Sequence, residues 1–303
     1  MIRLSQFFPQ RPRPKPRPLD RVHRAVAPTI NYWFDLDSHV FAMAIASNVL
    51  FGFFPFMILM LSLAEALFAW SDAERAIFVG LRSFLPKDPG LVEFVERNLR
   101  VAVSQRGPVQ FVPALLLILS ANGIFMPLEA AQNRLWGFPR HRHYLFNQVV
   151  AFGFTTVAVV SAMAATVFAG TFGDSFLQLL GGWIKTPEEG VLVALKLVEA
   201  PTLLLLFLLI YWVLPNGPVP LRRALPVAIA AAATVEFGQL LYSWIWPYLE
   251  LRREYGPFFI SVTLVLWGFL AAMLVLAGAE VCSRPARYGA DRRQPSLAAA
   301  EVP

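Results

Sequence analysis

Residues 40–64 read VFAMAIASNVLFGFFPFMILMLSLA, a run without one charged side chain. About 20 such residues are enough for an α-helix to cross roughly 30 Å of hydrocarbon, and lipid offers the backbone no partner outside its own helix. The run therefore predicts a transmembrane helix. Five further stretches repeat the pattern, at about 108–130, 144–173, 200–221, 224–249 and 255–280. The expected fold is all-α, a polytopic membrane protein of six transmembrane helices covering residues 38–282. A helical outer loop, 65–107, joins the first and second spans.

Composition agrees with that class. Hydrophobic residues make up 57% of the 303-residue chain and charged residues 15%, against about 45–50% and about 25% in soluble domains. The formal charge of +6 does not gather on one amphipathic face, so nucleic acid is not an expected partner. The single cysteine, Cys282, excludes an internal disulfide and a cysteine metal cage. Met1 to Asp37 is basic and Pro-rich with no apolar core, so no cleavable signal peptide is expected there.

Lys and Arg set the orientation. Sixteen of the 26 fall in the N-terminal tail, the Arg134–Arg142 loop, the Arg222–Arg223 turn and the C-terminal tail; ten fall in the alternate loops. The positive-inside rule then places both tails in the cytoplasm. Residues 1–37 are read as a basic cytoplasmic tail, with Arg11 to Pro18 an extended polyproline-like arm held by anionic lipid. Residues 283–303 are read as a disordered cytoplasmic tail. Trp70, Trp136, Trp183, Trp212, Trp246 and Tyr248 lie near span ends, as interfacial aromatics do.

The outer loop carries periodicity. Ser71-Asp72-Ala73-Glu74 matches a capping box, and Ile77, Phe78, Leu81, Phe84 and Leu85 follow at helical spacing. Past Pro89-Gly90, a second stripe runs through Leu91, Phe94, Val95, Asn98 and Leu99. Two short amphipathic helices are expected, on the membrane surface or capping the bundle. Leu214-Pro215-Asn216-Gly217-Pro218 breaks the chain after the fourth span, as a tight turn or as a discontinuous helix lining a site.

Three stretches resemble the YihY/virulence factor BrkB family of bacterial inner-membrane proteins. They are Ala42 to Pro55 (AMAIASNVLFGFFP), Ser120 to Phe125 with Leu128 to Gly137 (SANGIF, LEAAQNRLWG), and Tyr211 to Asn216 (YWVLPN). The third continues through Arg223 to Pro226, Val235-Glu236, Tyr255-Gly256, Leu266-Trp267 and Gly278-Ala279-Glu280. Asn48 departs from the aromatic usual in that family, and Gly52 from its frequent serine. The resemblance implies six spans with cytoplasmic tails in the inner membrane. It carries ribonuclease, serum-resistance and exporter labels, but no agreed chemistry.

Glu236 is the sharpest candidate for function, standing near the middle of the fifth span. A lone carboxylate at the bilayer centre costs about 2.5–3.5 kcal/mol on insertion scales, so it must face the bundle interior or water. There it either binds a proton or cation during transport or locks helices together. Glu129, Asn133, Arg134, Arg222, Arg223, Glu280 and Arg284 fall together at the cytoplasmic edge, as a headgroup-binding or gating cluster or as an anchor network. Asn48 and Asn122 are expected to cross-link helices, and Glu65 and Glu199 to sit among headgroups. His141-Arg142-His143 lacks the partners a hydrolytic metal site needs. The chain is accordingly read as a transporter or lipid- or solute-handling protein, with a non-transporting envelope or assembly factor as the alternative. No enzyme activity, metal or cofactor is expected; membrane lipids, anionic headgroups among them, and a second copy of the chain are the expected partners.

Overall fold

The run at 40–64 does form one helix, and it extends past both ends of the apolar stretch: α2 spans Leu36–Phe68. Asp37 occupies its first turn, where the helix dipole favours negative charge. The computed structural model describes residues 18–68, 71–84, 89–104, 111–138, 144–180, 183, 185–249 and 251–291. Before α2 lies α1 (Pro18–Trp33); after it come α3 (Ser71–Phe84), α4 (Pro89–Ser104), α5 (Phe111–Trp136), α6 (Tyr144–Leu179), α7 (Pro187–Trp212), α8 (Leu221–Leu249), α9 (Leu251–Tyr255) and α10 (Phe259–Asp291). No strand occurs among the described residues. Helices α2, α5, α6, α7, α8 and α10 are long and apolar enough to cross a membrane.

These six pack in a ring in the order α2, α5, α6, α7, α8, α10 and back to α2, with α10 reaching α5 and α7 across it. An even number of crossings puts α1 and the end of α10 at one end of the bundle, and the α3–α4 hairpin at the other. The interior fills from both ends. At the termini end, Ala42, Leu128, Tyr211, Leu214, Ala228, Met273 and Leu276 belong to one buried cluster. At the hairpin end, Met57, Leu61, Ile77, Phe78, Val95, Leu99 and Ile260 tie α2 and α10 to α3 and α4. A smaller cluster of Ala76, Val79, Ala169, Val191 and Ala194 joins α3 to α6 and α7.

Small residues set the close crossings. Gly268 of α10 faces Ala46 and Val49 of α2, small residues on both helices letting the backbones approach closely. Gly173 and Gly190 let α6 and α7 approach until a methyl on Gly190 would overlap the Gly173 carbonyl oxygen. Gly123 of α5 leaves room for the amide of Asn48. Asn48 donates to Ala44 O of its own helix at 2.8 Å, so it fills a groove and satisfies its own backbone instead of cross-linking helices through side chains. The Asn122 Oδ1 atom is buried without a hydrogen-bond partner.

Several boundaries differ from the sequence reading. Residues 18–33 of the N-terminal tail are helical, and Thr29 is tied to α10 by Glu280 and Arg284. The arm before Pro18 and the His141–His143 loop lie outside the described residues. The C-terminal tail is not disordered from 283: α10 continues to Asp291, its first extra turn held by Arg284 on Glu280. The fourth span begins at Pro187 rather than 200. Thr186 caps it in a reciprocal capping box with Glu189, and Pro187 takes the first helical position, where its missing N–H costs nothing. The Leu214–Pro218 breaker follows the helix end at Trp212. Trp136 is buried and stacks on Phe138 at 5.7 Å instead of meeting the interface; Gly137, at φ 70°, ends α5 just after it.

The outer loop folds as two helices that cap the bundle. Ile77, Phe78 and Leu81 of α3 and Val95 and Leu99 of α4 are buried, as their spacing predicts. The hairpin is laced by Arg82 on Glu96 (2.7 Å) and Arg100 on Glu74. Arg100 also lies over the Phe78 ring.

Candidate functional site within the helix bundle

Glu236 is not alone. Lys196 of α7 donates from Nζ to Glu236 Oε2 at 2.9 Å and to Gln239 Oε1 at 2.6 Å, and pairs with Glu199 Oε2 at 2.9 Å. Gln239 Nε2 donates to Glu199 Oε1 at 3.2 Å. Three N–H groups of one ammonium thus meet three acceptors, and both ends of the Gln239 amide are engaged. Glu236 Oε1 is the exception, buried with no hydrogen-bond partner. Two carboxylates against one ammonium leave the quartet with one net negative charge.

Depth and direction follow from helix geometry. Glu199 stands at the middle of the 26-residue α7 and Glu236 near the middle of the 29-residue α8. Those helices measure about 39 and 43 Å at 1.5 Å per residue, and the apolar span within α8 is Leu221–Leu241, so Glu236 and Gln239 lie in the half of it nearer the hairpin end. On α7, Lys196 and Glu199 continue at helical spacing into the stripe of Leu203, Phe207 and Tyr211, whose last two members are buried in the core. On α8, Gln239 continues the stripe of Ala228, Ala231 and Val235. Both stripes run on from buried positions, and the quartet bridges α7 and α8. Yet the side chains of Lys196, Glu199 and Glu236 are 43%, 32% and 31% exposed.

The apolar clusters account for that exposure. Among the described residues, α8 contributes to the termini-end core only as far as Val235, and to neither hairpin-end cluster. Beyond Val235, Gly238 lies against the Trp267 ring of α10, and Glu236 and Gln239 carry the polar contact to α7. Val191 and Ala194, one turn nearer the hairpin end than the quartet, pack on Ala76 and Val79 of α3. Gly80 lies against Leu195, and Arg82 reaches Glu188 at 3.6 Å. The hairpin therefore packs on α7 beside Lys196.

Three members of the quartet escaped the sequence reading. Glu199 was placed at a span end and is instead at mid-helix. Lys196 and Gln239 were not singled out. A signal existed: Thr186-Pro187-Glu188-Glu189 is itself a capping box, and extending the helix from it puts Lys196 and Glu199 three residues apart on one face inside an apolar segment.

The predicted edge cluster divides into separate pairs. Glu280, 2% exposed, accepts from Arg284 Nη2 at 2.6 Å and from Thr29 at 3.0 Å. Asn133 donates to Glu129 at 3.4 Å and accepts the Asn216 backbone N–H at 2.8 Å, fixing the α7–α8 turn. Arg134 pairs with Asp37. Arg222 is exposed, and Arg223 is half-buried beside Cys282. These contacts tie helix ends together. Nearby, the fully buried Gln132 amide has no hydrogen-bond partner. Among the described residues no group of three His, Cys, Asp or Glu side chains is placed to hold a metal ion.

Comparison with known proteins agrees with this architecture. The family model described as Virulence factor BrkB matches residues 33–301. The chain is 27% identical over 245 residues to a UPF0761 membrane protein of Pseudomonas aeruginosa, covering 80% of this chain and 58% of the relative. It is 23% identical over 260 residues to a UPF0761 membrane protein of Acinetobacter baylyi, covering 84% and 60%. A UPF0761 membrane protein of Cronobacter sakazakii is 26% identical over 257 residues, covering 82% and 85%. The chain thus spans less than two thirds of the Pseudomonas and Acinetobacter relatives it matches. No solved structure matches it.

Proposed function

We propose that this chain, a membrane protein that belongs to the virulence factor BrkB family, handles a solute or lipid across the bacterial inner membrane, with both termini in the cytoplasm. The carrying observation is the Lys196–Glu199–Glu236–Gln239 quartet, which bridges α7 and α8 within apolar helices and remains partly exposed. Charged side chains within such helices are costly and mark substrate or ion paths when they line a water-filled space. Glu236 serves as the exchanging group in this reading. Its Oε1 has no partner, its Oε2 is held by Lys196, and the quartet's net negative charge favours a proton or small cation over an anion. The termini-end core closes the path on one side and the α3–α4 hairpin flanks it on the other. The reading includes no enzymatic step.

The test is coupled flux in proteoliposomes, reading internal pH with a trapped dye while solute and lipid classes are offered. Glu236→Gln should keep the fold and abolish solute-coupled proton or cation movement. Unchanged flux in a folded variant would remove Glu236 from the mechanism. The ion-laced hairpin supports a second reading, a non-transporting assembly factor that docks through α3 and α4. A stable protein partner cross-linked at α3–α4, with no flux of any offered solute, would favour it.

A further inference from the structure

At the opposite end of the bundle, a cleft of about 220 Å³ opens between α1, α2 and α5. Tyr32 of α1, Asp35 and Asp37 at the start of α2, Phe41 one turn on, and Arg134 near the end of α5 line it. Its level is set by the spans themselves: the α2 span begins at Leu36 and the α5 span ends at Trp136. That is the depth at which phospholipid headgroups meet acyl chains.

The surroundings are apolar and exposed. Phe34 and Leu36, 77% and 75% exposed, continue into Val40, Met43 and Phe51 along one face of α2. Val26, Ile30 and Trp33 form a matching exposed stripe on α1, at spacings of one and two turns. Exposed large side chains in one continuous strip, joined to a transmembrane helix, fit the acyl boundary of the bilayer.

The cleft's charges select the headgroup. Two carboxylates and one guanidinium leave one net negative charge, with Arg134 paired to Asp37 and both still half-exposed. The Tyr32 hydroxyl, like any tyrosine, is a proton donor at neutral pH, and burial pushes its pKa further up. We infer that this cleft binds the headgroup of a phospholipid carrying a primary amine, with the ammonium on Asp35, the phosphate on Arg134 and Tyr32, and the chains along the α1–α2 strip. A quaternary ammonium has no N–H to give Asp35, and an anionic glycerol headgroup adds charge of the sign already in excess. This site does not depend on the transport reading of the quartet.

The test uses the full chain, purified in mild detergent and offered equal amounts of phosphatidylethanolamine, phosphatidylcholine and phosphatidylglycerol, with bound lipid read by native mass spectrometry. Phosphatidylethanolamine should be retained over phosphatidylcholine by about tenfold, the ratio one charge-assisted hydrogen bond is worth. Asp35→Asn keeps a residue able to cap α2 and removes only the charge; it should bring the ratio to about one with the melting temperature unchanged. Equal retention of amine and choline lipids by the unaltered protein would overturn the proposal, as would stronger retention of phosphatidylglycerol. A preference that survives Asp35→Asn would overturn the location. Displacement by free O-phosphoethanolamine at equal concentration would show that the site takes a soluble ligand, overturning the lipid assignment.

Discussion

Replacing Lys196 by Met is the most informative single change in the quartet. The ammonium makes contacts of 2.9, 2.9 and 2.6 Å to Glu199, Glu236 and Gln239, and its loss leaves two carboxylates close together between apolar helices. Breaking a buried ion pair by removing one partner costs about 3–5 kcal/mol. These side chains are a third to two fifths exposed, and the solvent reaching them reduces that figure to about 2 kcal/mol. Glu236→Gln differs in kind: the amide oxygen still accepts from Lys196, and Glu199 still balances the charge, so the cost should stay below about 1 kcal/mol. Combining Lys196→Met with Glu236→Gln removes half the unbalanced charge and should recover about 1 kcal/mol of the loss. Unfolding in mixed micelles with increasing SDS, followed by circular dichroism, measures all three. A Lys196→Met variant within 0.5 kcal/mol of the parent would refute the reasoning, because removing a shared, partly exposed counter-ion should cost about 2 kcal/mol. So would a Glu236→Gln variant as damaged as Lys196→Met.

Gly123→Ala should destabilise by about 1–3 kcal/mol through overpacking against the Asn48 amide, and Asn48→Ala in the same chain should restore most of it; the same SDS titration reads both. Thr186→Ala removes the side-chain acceptor of the Glu189 N–H and should cost about 1 kcal/mol, with faster amide exchange confined to the first turn of α7. Glu280→Ala strips the buried partner from Arg284 and Thr29 together. Hydrogen exchange should then rise across α1, while α8 keeps its protection.

The spans were legible because hydrocarbon leaves few alternatives: an uncharged run of that length must be helical, and six such runs made six helices. What blurred was where charge enters. The fourth span was started at residue 200 because Lys196 and Glu199 read as the end of an apolar run; paired with Glu236 and Gln239, they sit inside the helix. The tails misread for a related reason. Residues 18–33 average too polar to look like a span, yet their apolar residues recur at helical spacing, and Thr29 finds Glu280 far along the chain. Glu236 itself was legible, since a carboxylate in an apolar run is conspicuous. Its partner was not, because pairing α7 with α8 depends on how the ring closes. The edge residues likewise shared a level in the sequence, while the fold pairs them separately with Thr29 of α1, Asp37 of α2 and the α7–α8 turn.

The claim on which the account rests is that the quartet faces a polar opening within the bundle. The chain's only cysteine, Cys282, is buried, so a single engineered thiol can report on this position. Gln239→Cys, in membranes, should react with a charged, membrane-impermeant methanethiosulfonate added from the hairpin side. Phe237→Cys, on the exposed outward face of α8, should stay unmodified because lipid covers it. A Gln239→Cys thiol that reacts no faster than Phe237→Cys would contradict the account, since its side chain would then lie in a closed core or against lipid.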